Sequence, residues 1–205
     1  MKISISILGS TGSIGETTLR IVRKKKSNFD VQILAAKSNY LKICHQINEF
    51  KPKIFVIINK KVFLKIQKKF KNKKIKIYNN FSKLNFKKKK FDITISSIVG
   101  IAGLSPTIKF VKYTKKILLA NKETIICGWH LIKNLSMTHK TEIIPVDSEH
   151  FSIDQLTKNC KDKDIEKIYL TASGGPFLNK SLKSFKSIKA SDAIKHPKWK
   201  MGKKI

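Results

Sequence analysis

Acidic residues are what this chain has least of for its size. Thirteen Asp and Glu stand against 44 Lys and Arg, a formal net charge of +31 over 205 residues. Arginine is nearly missing too: only Arg20 and Arg23 occur, and every other basic residue is lysine. Sequence-reading nucleic-acid sites favour arginine, whose planar fork grips bases and phosphates bidentately. Lysine charge alone gives salt-sensitive, non-specific affinity. The lysines are also spread along the chain beside abundant Ile and Asn, as drift toward A/T-rich codons would leave them. The run Lys87-Lys88-Lys89-Lys90 reads as a solvated loop or helix end. No specific nucleic-acid partner is expected.

Cysteine is scarce: Cys44, Cys127 and Cys160 are odd in number and widely spaced. That excludes a disulfide framework and finger-type zinc spacing, and leaves reduced, mostly buried thiols. No apolar run approaches the roughly 18 residues needed to span a bilayer. The run Ile3 to Leu8 is too short for a secretory core. A cytoplasmic protein with no membrane partner is expected. Long Pro/Gly linkers and internal repeats are missing as well. A hydrophobic share of 41% is enough for a packed core.

What is present is alternation. Strands are expected at Ile3–Leu8, Val31–Ala36, Ile54–Ile58, Ile75–Tyr78, Ile93–Ile98, Ile117–Ala120, Ile143–Val146 and Ile168–Thr171. The first, second, third and fifth are near-continuous apolar runs, as in strands covered on both faces. Between them, Ile14, Thr18, Ile21 and Val22 fall at helical spacing, as do Leu41, Cys44, Ile47 and Phe50. Strand–helix–strand repetition implies a parallel sheet with right-handed crossovers.

Gly9-Ser10-Thr11-Gly12-Ser13-Ile14-Gly15 follows the first strand and opens the first helix. Small residues are required where a chain turns sharply and lets helix N–H groups meet a pyrophosphate. The reading is an α/β fold with a Rossmann-like dinucleotide-binding domain over residues 1–146. After the second strand comes Ala35-Ala36-Lys37-Ser38-Asn39, where NAD-specific domains place an acid on the ribose. With no acid to repel a 2′-phosphate, and Lys37, Ser38 and Asn39 to bind one, NADPH is favoured.

Asn121-Lys122-Glu123 begins another helix; it reads either as crevice-facing polar residues or as a plain helix cap. Ser173-Gly174-Gly175-Pro176-Phe177 reads as an anion nest or a tight turn. The segment His196-Pro197-Lys198-Trp199 reads as a ligand-capping loop or local core. In Asp147-Ser148-Glu149-His150 two carboxylates are one residue apart after a strand. On extended backbone they would point to one side and could clamp a hard divalent cation.

Together these segments closely resemble the 1-deoxy-D-xylulose 5-phosphate reductoisomerase family. The resemblance rests on Leu8 through Gly15, Leu118-Leu119-Ala120-Asn121-Lys122-Glu123, Pro145 through His150, Ser173 through Phe177, and His196-Pro197 with Trp199, Met201, Gly202, Lys203 and Ile205. It implies that Thr11, Gly12, Ser13 and Ile14 hold the NADPH phosphates, with Ser38 and Asn39 near the adenosine ribose. Asn121, Glu123, Met201 and Gly202 would line the cofactor. Asp147 and Glu149 would bind Mg²⁺ or Mn²⁺. Lys122, Ser148, Glu149, Ser173 and His196 would contact a sugar phosphate, and Lys122, Glu149, His150, His196 and Trp199 would serve catalysis, Trp199 from a closing flap.

The implied reaction rearranges the carbon skeleton of 1-deoxy-D-xylulose 5-phosphate and reduces the resulting aldehyde to 2-C-methyl-D-erythritol 4-phosphate. The family's usual state is a homodimer. Lys37 departs from the small residue the family usually has there. The family also continues past Ile205 into a segment that supplies a third metal carboxylate. The chain therefore reads as truncated, with residues 147–205 the opening of an α+β catalytic domain. An inactive NADPH-binding remnant of that enzyme is the alternative. A semialdehyde dehydrogenase, a different Rossmann oxidoreductase, would need a catalytic cysteine context that the chain lacks.

Overall fold

The apolar runs form strands wherever both faces are covered. The structure, a computed structural model, describes residues 1–86, 91–169 and 175–195. Its elements are β1 (Ile3–Leu8), α1 (Ser13–Lys24), β2 (Phe29–Ala36), α2 (Tyr40–Phe50), β3 (Ile54–Ile57), α3 (Lys60–Lys69), β4 (Lys76–Tyr78), β5 (Phe91–Ser96), α4 (Leu104–Val111), β6 (Thr114–Leu119), α5 (Lys122–His139), β7 (Glu142–Pro145), α6 (Ser148–Thr157) and α7 (Ala190–Ala193). Two compact units emerge, Met1–Lys158 and Asn159–Ile205.

In the first unit seven strands form one sheet in the order β4-β3-β2-β1-β5-β6-β7, with every neighbouring pair parallel. The chain winds outward from β1 in one direction, then returns to lay β5 on the other side of β1. Strand order thus reverses between β1 and β5, which opens a crevice at their carboxyl ends.

Ile5 and Ile7 of β1, Leu34 of β2 and Phe55 of β3 pack with Leu19 and Val22 of α1, Ile43 and Ile47 of α2 and Ile66 of α3. On the opposite face, Phe110 of α4 packs with Leu8, Ile33 and Val56. Ile132 of α5 packs with Ile117 and Leu119 of β6. Fully burying side chains such as Ile7 or Phe55 stabilises the fold by about 1.5–3 kcal/mol each.

The amino end of the sheet is tied by one carboxylate. Asp92 Oδ2 accepts from Ser4 N (2.8 Å) and Ser4 Oγ (2.7 Å), and Asp92 Oδ1 accepts from Lys115 Nζ (2.8 Å). These bonds, that of Lys115 foremost, pull the Asp92 pKa down to about 2. One side chain therefore joins β1, β5 and the start of β6.

Four expectations change. The thiols are not mostly buried: Cys44 is, while Cys127 and Cys160 are exposed. The buried stripe of α1 is Gly15, Leu19 and Val22, while Ile14 and Ile21 face solvent. The apolar face lies one residue along because Gly15, which has no side chain, packs against the backbone of Gly9 and Ser10. On α2, Leu41 is exposed, and Ile43 and Gln46 are buried beside Cys44, Ile47 and Phe50. The strand expected at Ile168–Thr171 is not formed over its described part: Ile168 and Tyr169 are irregular and exposed. The rest of it lies outside the described residues. In the second unit the described residues form short 3₁₀ turns and α7, and none of them is buried. No helix among the described residues is long and apolar enough to cross a membrane.

Candidate cofactor and metal site

The glycine turn sits at the crevice. Gly9 N and Ser10 N both donate to Ala35 O of β2 (2.9 and 2.8 Å), which fixes the turn over the sheet. Gly9 has φ +94°, a left-handed conformation that favours glycine, and a Cβ there would lie 2.7 Å from Ser97 O. A Cβ on Gly15 would collide with the Gly9 carbonyl, so helix and turn touch backbone to backbone. Gly12 is different: its nearest neighbour would be Gly9 O at 3.4 Å. Gly12 also occupies the N-cap of α1, where it has no side chain to cap with. The first N–H groups of α1 are left without intrahelical acceptors. Gly12, Ser13 and Ile14 are exposed and Thr11 is half-buried. An anion is the natural partner for such an open helix end.

Around this turn the described elements form a frame. Ser38 and Asn39 follow β2 at the same end of the sheet, both exposed, and Asn39 Oδ1 caps α2 by accepting from Lys42 N (3.1 Å). Lys37 is exposed beside them. Lys42 reaches back to the turn, with Nζ 3.5 Å from Thr11 O and 3.6 Å from Glu16 Oε2. Below the turn, buried Ser10 donates from Oγ to Gln46 Oε1 (2.7 Å). Gln46 Nε2 in turn donates to Ser10 O (3.0 Å) and Glu16 Oε1 (2.7 Å). Sequence reasoning missed Lys42 and Gln46. One more lysine in this chain carries no signal, and Gln46 was concealed in an apolar helical stripe.

Asn121 is the N-cap of α5: its Oδ1 accepts from Thr124 N (2.9 Å). Its Nδ2 donates to Ile98 O and to Gly100 O, the latter at 2.8 Å. Both ends of this buried amide are occupied, so it caps the helix and ties the loop after β5. Glu123, in the first turn, is half-buried.

The acidic tetrapeptide is not extended beyond its first residue. Asp147 has extended backbone and is the N-cap of α6; Ser148, Glu149 and His150 are already helical. The two carboxylates therefore do not share a strand face. The N-cap preference of Asp outweighs the continuation of β7. Asp147 Oδ1 accepts from His150 N (3.1 Å) and pairs with His150 Nδ1 (2.7 Å). Its other oxygen, Oδ2, is buried without a hydrogen-bond partner among the described residues.

Burial raises the Asp147 pKa, but hydrogen bonds from the His150 ring and backbone outweigh it, and the net position is below the ordinary value. Glu149 is also held low, by its own backbone N–H and by Lys122, whose Nζ lies 3.7 Å from Glu149 Oε2. Ser148 Oγ donates to Glu149 Oε2 (3.2 Å). Lys122, Ser148, Glu149 and His150 thus converge where α5 and α6 begin. Among the described residues no group of three or more His, Cys, Asp or Glu is placed to hold a metal ion. The donors present still fit a hard cation: an ionised carboxylate with one buried, unsatisfied oxygen, and a second ionised carboxylate nearby in sequence. Ser173, His196, Trp199, Met201 and Gly202 lie outside the described residues, as do Pro197 and Gly174.

A parallel sheet with a glycine turn between β1 and α1, beside the point where strand order reverses, defines a Rossmann-like dinucleotide-binding domain. Comparison with known proteins makes the assignment specific. Residues 5–128 match the profile of 1-deoxy-D-xylulose 5-phosphate reductoisomerase, and residues 143–205 match that of its C-terminal domain. The chain belongs to the 1-deoxy-D-xylulose 5-phosphate reductoisomerase family. It is 48% identical to the reductoisomerase of Pelagibacter ubique over 204 residues, covering 98% of this chain and 53% of that one. With the Wolbachia pipientis enzyme the identity is 42%, over 98% of this chain and 52% of the relative.

Two solved structures superpose well. The Zymomonas mobilis reductoisomerase in complex with NADPH gives a TM-score of 0.79 at 26% identity, covering 90% of this chain and 49% of that one. A reductoisomerase in complex with NADPH, fosmidomycin and magnesium gives 0.80 at 30% identity, covering 98% and 52%. The chain spans about half the length of the curated relatives it matches.

Proposed function

We propose that the chain carries the NADPH-binding apparatus, and two of the metal-binding carboxylates, of an enzyme that converts 1-deoxy-D-xylulose 5-phosphate to 2-C-methyl-D-erythritol 4-phosphate. The observation that carries this reading is the open start of α1. Gly9 and Gly15 are sterically obligatory, Gly12 N donates to Gly9 O (3.0 Å), and the N–H groups of the first turn, from Ser13 on, have no side-chain cap and suit an anion. Thr11, Gly12, Ser13 and Ile14 hold the pyrophosphate. Ser38 and Asn39, with Lys37 adding positive charge, take the ribose and its 2′-phosphate. Glu123, Met201 and Gly202 line the cofactor, and Asn121 shapes its loop.

Asp147 and Glu149 would hold Mg²⁺, with Mn²⁺ as a substitute, and Asp147 Oδ2 has no hydrogen-bond partner among the described residues. Bound together, the cation supplies charge stabilisation at the substrate's oxygens and NADPH supplies hydride. The chain's own residues position the reactants. His150 fixes the Asp147 carboxyl, and Lys122 balances Glu149 and meets the sugar phosphate with Ser148, Ser173 and His196. By the family resemblance Trp199 would serve as a cover that excludes water. We place this chemistry in the cytoplasm.

Fluorescence titration with NADPH and NADH tests the reading. Saturable NADPH binding, with NADH weaker because Lys37, Ser38 and Asn39 have no 2′-phosphate to hold, is the expected result. Failure of a folded chain to bind NADPH would overturn it.

A further inference from the structure

Gln46 has no packing reason to be polar. It lies in the buried stripe of α2 between Ile43, Ile47 and Phe50 and is 2% exposed. An apolar side chain would complete that stripe without the cost of desolvating an amide. Yet the hydrogen bonds of its side chain all run out of its own helix. Oε1 accepts from Ser10 Oγ (2.7 Å), and Nε2 donates to Ser10 O (3.0 Å) and to Glu16 Oε1 (2.7 Å). The targets are the glycine turn and the first turn of α1.

Two consequences follow from elementary geometry. In a trans peptide the C=O and the next N–H point in opposite directions. With the Ser10 carbonyl drawn inward to Gln46, the Thr11 N–H is turned outward, away from the core. The second concerns Glu16, an acid in the first turn of α1. One carboxylate oxygen is held by Gln46 and the other lies 3.6 Å from Lys42 Nζ. Released, that carboxylate could swing toward the helix end, where its negative charge would compete with an incoming phosphate for the N–H groups of the first turn.

We infer that Gln46 is a positioning residue for the cofactor's pyrophosphate: it aims the Thr11 N–H outward and keeps Glu16 off the start of α1. The inference rests on the NADPH reading of this turn and adds to it a residue outside the turn.

The test compares NADPH with adenosine 2′-monophosphate, which has the ribose phosphate but no pyrophosphate. Gln46→Met fills the same space without the three hydrogen bonds. It should weaken NADPH roughly tenfold and leave adenosine 2′-monophosphate within about twofold of wild type. Ser10→Ala removes one of the three bonds and should give the same selective loss at smaller size, which serves if Gln46→Met does not fold. Equal weakening of both ligands would mark Gln46 as merely structural and overturn the inference. So would unchanged NADPH affinity in a folded Gln46→Met. A wild-type chain that binds adenosine 2′-monophosphate but not NADPH would also overturn it, while one that binds neither removes the cofactor reading and the inference with it.

Discussion

His150 Nδ1 sits 2.7 Å from Asp147 Oδ1, while Asp147 Oδ2, on the same carboxyl, is buried with no hydrogen-bond partner among the described residues. One oxygen is committed to orienting the side chain and the other is left free. A carboxylate divided in this way keeps one oxygen unspent, which is what the proposed cation site asks of it.

The first prediction follows from that division. Asn caps a helix about as well as Asp, so Asp147→Asn should melt normally. It should nevertheless bind Mn²⁺, followed by electron paramagnetic resonance, at least about tenfold more weakly, since loss of even an outer partner of a metal ligand costs that much. Undiminished Mn²⁺ affinity would remove Asp147 from the metal site.

The glycines of the turn should separate by role. In Gly15→Ala the new Cβ meets backbone of Gly9 and Ser10, with Ser10 Cα at 2.6 Å, so the turn or the helix must shift. The expected cost is about 2 kcal/mol or more. In Gly12→Ala the Cβ meets nothing closer than Gly9 O at 3.4 Å. That variant should keep its melting temperature within about 4 °C. Its methyl should still displace the pyrophosphate and weaken NADPH about tenfold or more. Calorimetry of both variants, followed by NADPH titration of Gly12→Ala, checks the contrast.

Asn121→Ala should be costly away from any ligand. It removes a helix cap worth about 1 kcal/mol. It also leaves Ile98 O and Gly100 O without their amide donor, at about 1 kcal/mol each. A fall in melting temperature of roughly 5–10 °C is expected. A shift below about 2 °C would mean that the loop finds other donors.

Acid stability should depend on Asp92. Its pKa is about 2 in the fold against an ordinary 3.8. A lowered folded-state pKa means stability that is fully present above about 3.8 and lost as pH falls toward 2. After allowance for solvent screening, the contribution is about 1 kcal/mol. Asp92→Asn should therefore melt below wild type at pH 7, and the gap should close near pH 2. A gap that persists unchanged at low pH would show that charge is not the cause.

The sheet was legible because its buried strands concentrate apolar residues: β3 is an unbroken run, Ile-Phe-Val-Ile, and β1 and β5 place Ile at every second position between small polar residues. The helix faces were less so. Ile14 and Ile21 look like core by residue type, yet Gly15 takes the innermost position because backbone contact with Gly9 leaves no room for anything larger. At the site, the glycine turn and the cap reading of Asn121 were readable from local spacing. Asp147 was assigned an extended neighbour, since its choice between strand end and helix cap is settled by His150 three residues on. Gln46 was unreadable because its partners are Ser10 and Glu16, some 30 residues away or more.

The two outermost strands have a consequence for how copies of this chain meet one another. Among the described residues the sheet ends in β4, three residues long and opened by Lys76, and in β7, four residues long and closed by Pro145. Each exposed margin offers only a few rungs for a foreign strand. Lysine charge repels approach at one margin, and proline withholds a donor at the other. A seven-stranded sheet is in this way guarded against sideways growth into cross-β stacks. That guard uses none of the residues assigned to the cofactor or the metal.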